Sequence, residues 1–219
     1  MTSPYTCILF DLDGTIADSA PGITATLAYT LERIGLPIPR PSELLAWVGP
    51  PIMDSFRDLA HLALPEAENA LAIYREKYLD DGVSDSTVFP GMPQLIKDVH
   101  DAGIPFSLAT SKPELPATLI LEHYALARLF TVITGASEDE VRSAKKDVVE
   151  EALLRLKNLG VDISRPVMVG DREHDIQGAA AHGVPTIAVD WGYGSPAEYV
   201  GSIELAHDTD ELRKLLLGE

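Results

Sequence analysis

Two short, uninterrupted apolar runs, Cys7-Ile8-Leu9-Phe10 and Val167-Met168-Val169, each pass abruptly into carboxylates, and this pairing constrains the fold more than any other feature. A strand with one wet face alternates apolar and polar residues. A run that is apolar throughout is buried on both faces, as in the middle of a parallel sheet covered by helices. Strand-like runs lie at residues 6–10, 105–109, 131–134, 166–169 and 185–189, with amphipathic helical spacing between most of them. This rhythm predicts an α/β fold, a Rossmann-like parallel sheet core with helices on both faces. The 219 residues, 46% of them apolar, are ample for such a core and exclude a disordered chain.

One interval breaks the rhythm. Between the first strand and Pro105 lie more than ninety residues without a strand pattern, filled instead by helical periodicity over 23–34, 53–62 and 66–79. Pro37-Ile38-Pro39-Arg40-Pro41, Gly49-Pro50-Pro51 and Asp80-Asp81-Gly82 punctuate them. The expectation is an inserted α-helical cap over residues 16–88, with residues 1–15 and 89–219 forming the core, and hinges near 18–22 and 84–90. A further helix over 92–102 returns the chain to the sheet.

Ligands of open parallel sheets bind at the carboxyl ends of the strands, which is where the acids sit. In extended geometry Asp11 and Asp13 point the same way, and Gly14 lets the chain turn after them, although Asp-Gly is also ordinary turn chemistry. Asp171 ends another strand, and Asp175, four residues on, shares its face if a helix begins there. Acids in a first helical turn also simply complement the dipole. Together, however, up to four carboxylates converge on one sheet edge, which is unfavourable without a cation, and Mg²⁺ suits carboxylate oxygens. Thr110 and Ser111 end a strand before Pro113, placed either to bind an anionic oxygen or to cap a helix. Arg142, Lys145 and Lys146 stand at a helix entry, where cations oppose the dipole and so need a reason, unless they are simply solvated.

These segments resemble the haloacid dehalogenase superfamily of phosphohydrolases: Asp11-Leu12-Asp13-Gly14-Thr15, a strand-end Thr/Ser, a Lys, then Gly170-Asp171 with a second Asp four residues later. The resemblance spans essentially the whole chain. Ile16-Ala17-Asp18-Ser19 and the helical insert look like the phosphoglycolate phosphatase branch, and the combination of Gly49-Pro50-Pro51, Ser111-Lys112-Pro113-Glu114 and Trp191-Gly192-Tyr193-Gly194 looks like relatives that are phosphoglycolate phosphatases in some cases and nucleoside 5′-monophosphatases in others. The resemblance implies Asp11 as nucleophile, Asp13 as general acid and base, Thr110 on a phosphoryl oxygen and Lys145 as the neutralising cation. It implies a Mg²⁺ held by Asp11, the Asp13 carbonyl and Asp171, with Asp175 reaching it through water or orienting Lys145. No proline follows the motif lysine here, so the choice of Lys145 over Lys146 rests on a Lys-x-Asp-Val match. Gly49 and Pro50 are expected on the cap underside facing the leaving group, or as a plain helix connector, and Ser111 and Arg142 as further substrate contacts. His174 is read as a surface residue.

The expected activity is Mg²⁺-dependent hydrolysis of a small phosphate monoester through an aspartyl-phosphate, phosphoglycolate phosphatase-like first and 5′-nucleotidase second. A β-phosphoglucomutase-like mutase and a phospho-accepting regulatory module are the further alternatives. With 17 basic against 34 acidic residues, a formal net charge of −17 disfavours nucleic acid and anionic membranes as partners. The expected partner is a small phosphorylated metabolite, and the expected state is a monomer or homodimer. One cysteine, no basic leader at Met1–Thr6 and no long apolar stretch lead to an expected cytoplasmic location.

Overall fold

A computed structural model of the chain describes residues 3–218. Strand β1 (Cys7–Phe10) leads to the two-residue strand β2 (Ala17–Asp18) and to helices α1 (Ala20–Arg33), α2 (Pro41–Leu44), α3 (Ile52–Asp58) and α4 (Leu64–Lys77). Strand β3 (Thr87–Val88) brings the chain back, and α5 (Met92–Asp101), β4 (Phe106–Pro113), α6 (Glu114–His123), β5 (Val132–Ala136) and α7 (Lys145–Asn158) follow. β6 (Pro166–Gly170), α8 (Glu173–Ala180), β7 (Thr186–Val189), β8 (Glu204–Ala206) and α9 (Thr209–Leu217) complete it.

The six-stranded sheet has the order β5-β4-β1-β6-β7-β8, and every neighbouring pair is parallel. All four residues of β1 are fully buried, as its unbroken apolar run requires. Alternation across the pleat sends Ile8 and Phe10 into a cluster with α5, α6 and α9, and Cys7 and Leu9 into one with α7 and α8. Helices therefore cover both faces. The Phe10 and Phe106 rings meet edge-on at 5.9 Å, and truncating such a core ring to alanine costs about 3–5 kcal/mol. After β1 the chain builds β4 and β5 on one side and returns to build β6, β7 and β8 on the other. The carboxyl ends of β1, β4 and β6 thus flank a topological switch point, the usual position of a ligand crevice.

Helices α1 and α4 and the segments between them have their own apolar cluster, which includes Leu27, Leu31, Trp47, Phe56 and Tyr74. Trp47 and Tyr74 both pack edge-on against Phe56, at 5.8 and 6.4 Å. At its entry and exit, β2 and β3 pair as an antiparallel ribbon, and the Phe89 N–H donates to Ile16 O at 3.0 Å. These two short strands lie in the interval that read as wholly helical. They are too short to show a period-two pattern.

Other boundaries moved for local reasons. The helix expected over 53–62 stops at Asp58, because Leu62 turns its N–H back to Phe56 O and His61 takes a φ of 55°. The helix expected over 66–79 passes into a wider turn over Tyr78–Gly82. β4 runs on through Pro113, with a shift of register between Ala109 and Pro113, so Thr110 and Ser111 belong to the strand and do not cap a helix. Pro113 itself stands at the cap position of α6. The edge strand β8 went unread because Glu204-Leu205-Ala206 is short and carries no alternating signal.

Candidate active site

The carboxylates meet at the end of β1. Asp11 leaves the strand with its N–H on Val169 O at 2.9 Å, and the following loop closes through Gly14 N–H to Ala17 O at 2.8 Å. Gly14 has a φ of +85°, and a Cβ there would stand 2.2 Å from Asp171 Oδ2, so neither the turn nor the approach of Asp171 tolerates a side chain. One carboxylate oxygen from each of Asp11, Asp171 and Asp175 lies within 4.8 Å of the others, and all three residues are buried.

Lys145, the first residue of α7, lies among them. Its Nζ is 2.7 Å from Asp11 Oδ1, 2.8 Å from Asp175 Oδ1 and 3.0 Å from Ala109 O. This explains a cation at a helix start, where the dipole disfavours it. Lys146 is exposed, and its carbonyl meets the His182 ring at 2.8 Å. Burial works to lower the Lys145 pKa, but Asp11 and Asp175 hold it above the usual range. Asp175 is oriented further by the Arg172 N–H, at 3.0 Å from its Oδ2.

Asp13 faces the other way. It lines a cavity of about 220 Å³ between the sheet edge and the helical insert, and its Oδ2 pairs with Lys112 Nζ at 3.1 Å. Its Oδ1 is buried without a partner. Lys112 also donates to the Tyr78 hydroxyl at 2.9 Å and stands 4.5 Å from the centre of that ring. Burial opposes its charge, yet Asp13 and Tyr78 keep its pKa above normal.

The residues present fit a divalent cation. Three buried carboxylates, Asp11, Asp171 and Asp175, share one buried ammonium group, Lys145, which leaves a formal charge of −2. Burial first, then the charges of Asp175 and Asp11, push the Asp171 carboxyl well above the usual range. Burial likewise lifts Asp175 to about 6, against the opposing pull of Lys145. Carboxylates that resist ionising together until a cation joins them are a metal site's donor set, and oxygen donors suit Mg²⁺.

The remaining predicted residues divide. Thr110 is buried, and its Oγ1 accepts the Lys112 N–H at 3.3 Å, next to the Ala109 carbonyl that Lys145 holds. Ser111, Gly49 and Pro50 line the cavity that Asp13 faces. Arg142 does not. Its guanidinium turns to Gly135 O at 3.1 Å and Glu114 Oε2 at 3.4 Å, because Glu114 and Glu151 offer carboxylates there. His174 is half-buried where it was read as a surface residue, with its Nδ1 enclosed and without a partner.

Three participants were not assigned from sequence. Lys112 stood in a noted tetrapeptide, but nothing there showed that the strand would continue and aim it at Asp13. Tyr78 looked like one more apolar position of a helix. Arg172 donates from Nη1 to Val48 O at 2.6 Å and from Nε to Glu198 at 2.6 Å, a reach across the chain that no local pattern encodes.

Comparison with known proteins agrees with this geometry. The model of the family described as haloacid dehalogenase-like hydrolase matches residues 8–189. The chain is 41% identical over 215 residues to the tyrosine-protein kinase PtkA of Mycobacterium tuberculosis, covering 95% of this chain and 72% of that one. It is 35% identical to a 5′-nucleotidase of Pseudomonas aeruginosa (89% and 86% covered) and 31% identical to a phosphoglycolate phosphatase of Pseudomonas savastanoi (96% and 78%). A solved structure, a predicted phosphatase from Clostridium acetobutylicum, superposes with a TM-score of 0.92 at 35% identity over 98% of this chain and 99% of that one. With its site at the sheet's switch point and its match over most of the core, the chain belongs to the haloacid dehalogenase-like hydrolases and is a phosphoric monoester hydrolase.

Proposed function

We propose that this enzyme hydrolyses a small phosphate monoester in two steps through an aspartyl-phosphate on Asp11. The observation that carries this reading is the division of labour between two acids two residues apart. Asp11 is bound by Lys145 inside the carboxylate cluster, whereas Asp13 faces the cavity. Lys145 holds Asp11 in place, and the Asp11 carboxylate attacks phosphorus while the ester P–O bond breaks. Asp13 gives its proton to the departing alkoxide. It then takes a proton from the water that attacks the acyl phosphate, which releases inorganic phosphate and restores Asp11. Thr110 is assigned to a phosphoryl oxygen. Asp11, Asp171, Asp175 and the Asp13 carbonyl would hold Mg²⁺, which supplies charge neutralisation for the phosphoryl group.

The cavity favours a bulky, partly planar leaving group. Ile23, Trp47, Leu71, Tyr74 and Tyr78 line it from the insert, and the loop Gly49–Pro51 closes one wall. Of its lining cations, Lys112 is taken by Asp13, and Arg75 is bound to Glu140 and to the Glu138 carbonyl at 3.0 Å. A nucleoside buries its base against such walls, whereas a two-carbon acid would leave them uncovered. A nucleoside 5′-monophosphate is therefore the preferred substrate class. Lys112 favours 2-phosphoglycolate as the second reading, if it leaves Asp13 for the substrate's carboxylate. Phosphate release from UMP, dTMP and 2-phosphoglycolate, compared as kcat/KM with Mg²⁺ and with Asp11→Asn as control, separates the two. Higher efficiency on the nucleotides supports the first reading, and higher efficiency on 2-phosphoglycolate supports the second.

A further inference from the structure

The segment Trp191-Gly192-Tyr193-Gly194 has no part in the chemistry above, yet it touches both the metal-type carboxylates and the base of the helical insert. The Tyr193 N–H donates to Asp171 Oδ2 at 2.7 Å. Its hydroxyl lies at the start of α1, where it donates to Asp18 Oδ1 at 2.7 Å and accepts the N–H groups of Ser19 at 2.9 Å and Ala20 at 3.0 Å. Asp18 belongs to the ribbon through which the chain enters the insert. The neighbouring Trp191 donates its indole N–H to Thr15 O at 3.1 Å, in the loop that follows Asp11. A Cβ on Gly192 would stand 2.3 Å from both Asp171 Oδ2 and Gly14 O, so the segment is seated directly on the carboxylate.

The partners of the hydroxyl are unusual. No side chain of α1 caps its first turn; a tyrosine from a distant loop accepts the Ser19 and Ala20 amide hydrogens, the second of which it shares with Asp18 Oδ1 at 3.2 Å. One residue thus holds a carboxylate of the site with its backbone and the insert's entry with its side chain. Any rotation of the insert about the ribbon that moves Asp18–Ala20 must either break the hydroxyl's three hydrogen bonds or pull on the segment that seats Asp171.

We infer that Tyr193 is a positioning residue that couples the hinge of the helical cap to Asp171, so that metal binding at Asp171 and closure of the cap favour one another. This rests on the reading of Asp171 as a metal-binding carboxylate. Linkage makes the effect reciprocal: a ligand that draws Asp171 into place tightens the hinge by the same factor by which the tightened hinge strengthens that ligand's binding. Tyr193→Phe removes the hydroxyl and leaves the backbone N–H, so it severs the hinge end alone. Asp18→Ala removes the acceptor of the hydroxyl's own hydrogen and leaves the two amide bonds to it; because it also takes Asp18 Oδ1 from the Ala20 N–H, 3.2 Å away, the Ser19 amide is its reporter.

The test combines calorimetric titration with MgCl₂ and hydrogen exchange at the Ser19 and Ala20 amides, in wild type, Tyr193→Phe, Asp18→Ala and the double variant. In metal-free protein, Tyr193→Phe is expected to exchange these two amides roughly fivefold faster, the equivalent of one ordinary hydrogen bond. Mg²⁺ slows their exchange in wild type and not in Tyr193→Phe, which binds Mg²⁺ roughly fivefold more weakly, near the low end of typical couplings. Asp18→Ala weakens the same tie, so Ser19 exchange and Mg²⁺ affinity shift in the same direction, and the double variant adds little at Ser19 to Tyr193→Phe alone. Unchanged exchange at Ser19 and Ala20 in metal-free Tyr193→Phe overturns the hinge tie, whatever the metal does. Faster exchange with Mg²⁺ affinity equal to wild type overturns the coupling. If wild type itself gives no heat with Mg²⁺, the metal reading fails and the coupling with it, while the metal-free exchange still decides whether the tie exists.

Discussion

Lys112 Nζ stands 3.1 Å from Asp13 Oδ2 with both side chains at least nine-tenths buried, and the same ammonium donates to Tyr78 in the helical insert at 2.9 Å. The carboxylate proposed to serve the leaving group is thereby oriented by a buried lysine that is itself held from the helical insert. Removing one partner of a buried pair costs about 3–5 kcal/mol, much of it for the charge left alone. Lys112→Met is expected to lose stability on that scale in urea denaturation. Its activity falls within the roughly 10²- to 10⁴-fold range of acid catalysis on an alkyl phosphate, and clearly less on p-nitrophenyl phosphate, whose leaving group needs no proton. Equal losses on both esters would show that Lys112 does not act through Asp13.

The carboxylate cluster predicts a large thermal response to Mg²⁺. At a hundred times Kd, a ligand specific for the folded state adds about 2.7 kcal/mol. For a chain of this size, that raises Tm by about 5–10 °C. Asp171→Asn removes one repelling charge, so the metal-free variant is expected to melt no lower than metal-free wild type, and its Mg²⁺ shift to shrink or vanish. Differential scanning calorimetry with and without EDTA makes the comparison.

Much of this arrangement was legible because the chemistry is local. Cys7–Phe10 could only be a doubly covered strand, and Asp11 and Asp171 follow such strands directly, so their convergence came from topology; Asp13, expected to point the same way as Asp11, turns instead to the cavity and Lys112. The match that chose Lys145 over Lys146 also agrees with the side that faces Asp11. What stayed hidden depends on contacts between distant segments. Arg142, expected as a substrate contact, does not line the cavity, because Glu114, on another helix, takes its guanidinium. The roles of Lys112 and Tyr193 require knowing where the insert sits. Two-residue strands such as β2 and β3 give no periodicity to read.

Arg172 ties the loop of the metal-type carboxylates to the cavity wall by donating to Val48 O at 2.6 Å, with Glu198 steering it from behind. Hydrogen bonds of a charged donor contribute about 1.5–3 kcal/mol. Arg172→Met frees the loop carrying Gly49 and Pro50, and KM is expected to rise roughly tenfold or more with a smaller change in kcat. Steady-state kinetics on one substrate suffice, and a loss confined to kcat would count against this role.

A pH effect belongs to the far end of the sheet. His207 Nδ1 lies 2.5 Å from Asp190 Oδ2, and this hydrogen bond, with the Asp190 charge, raises the imidazole pKa above its ordinary value of about 6.5. A raised folded-state value means that the contact stabilises the fold fully below about 6.5 and is lost as pH climbs through the folded pKa. An NMR titration of His207 is expected to show a midpoint above 6.5 that falls in Asp190→Asn.

The central claim is that the phosphoryl group passes through Asp11. In Asp13→Asn the base for the second step is gone, while an aryl phosphate still reacts in the first. The decisive measurement is acid quench of that variant with p-nitrophenyl phosphate and Mg²⁺, followed by peptide mass spectrometry. The account predicts a phosphoryl adduct on Asp11 that accumulates with a burst of p-nitrophenol and is absent from Asp11→Asn. Release of p-nitrophenol and phosphate in step, with Asp11 unmodified throughout, would contradict it.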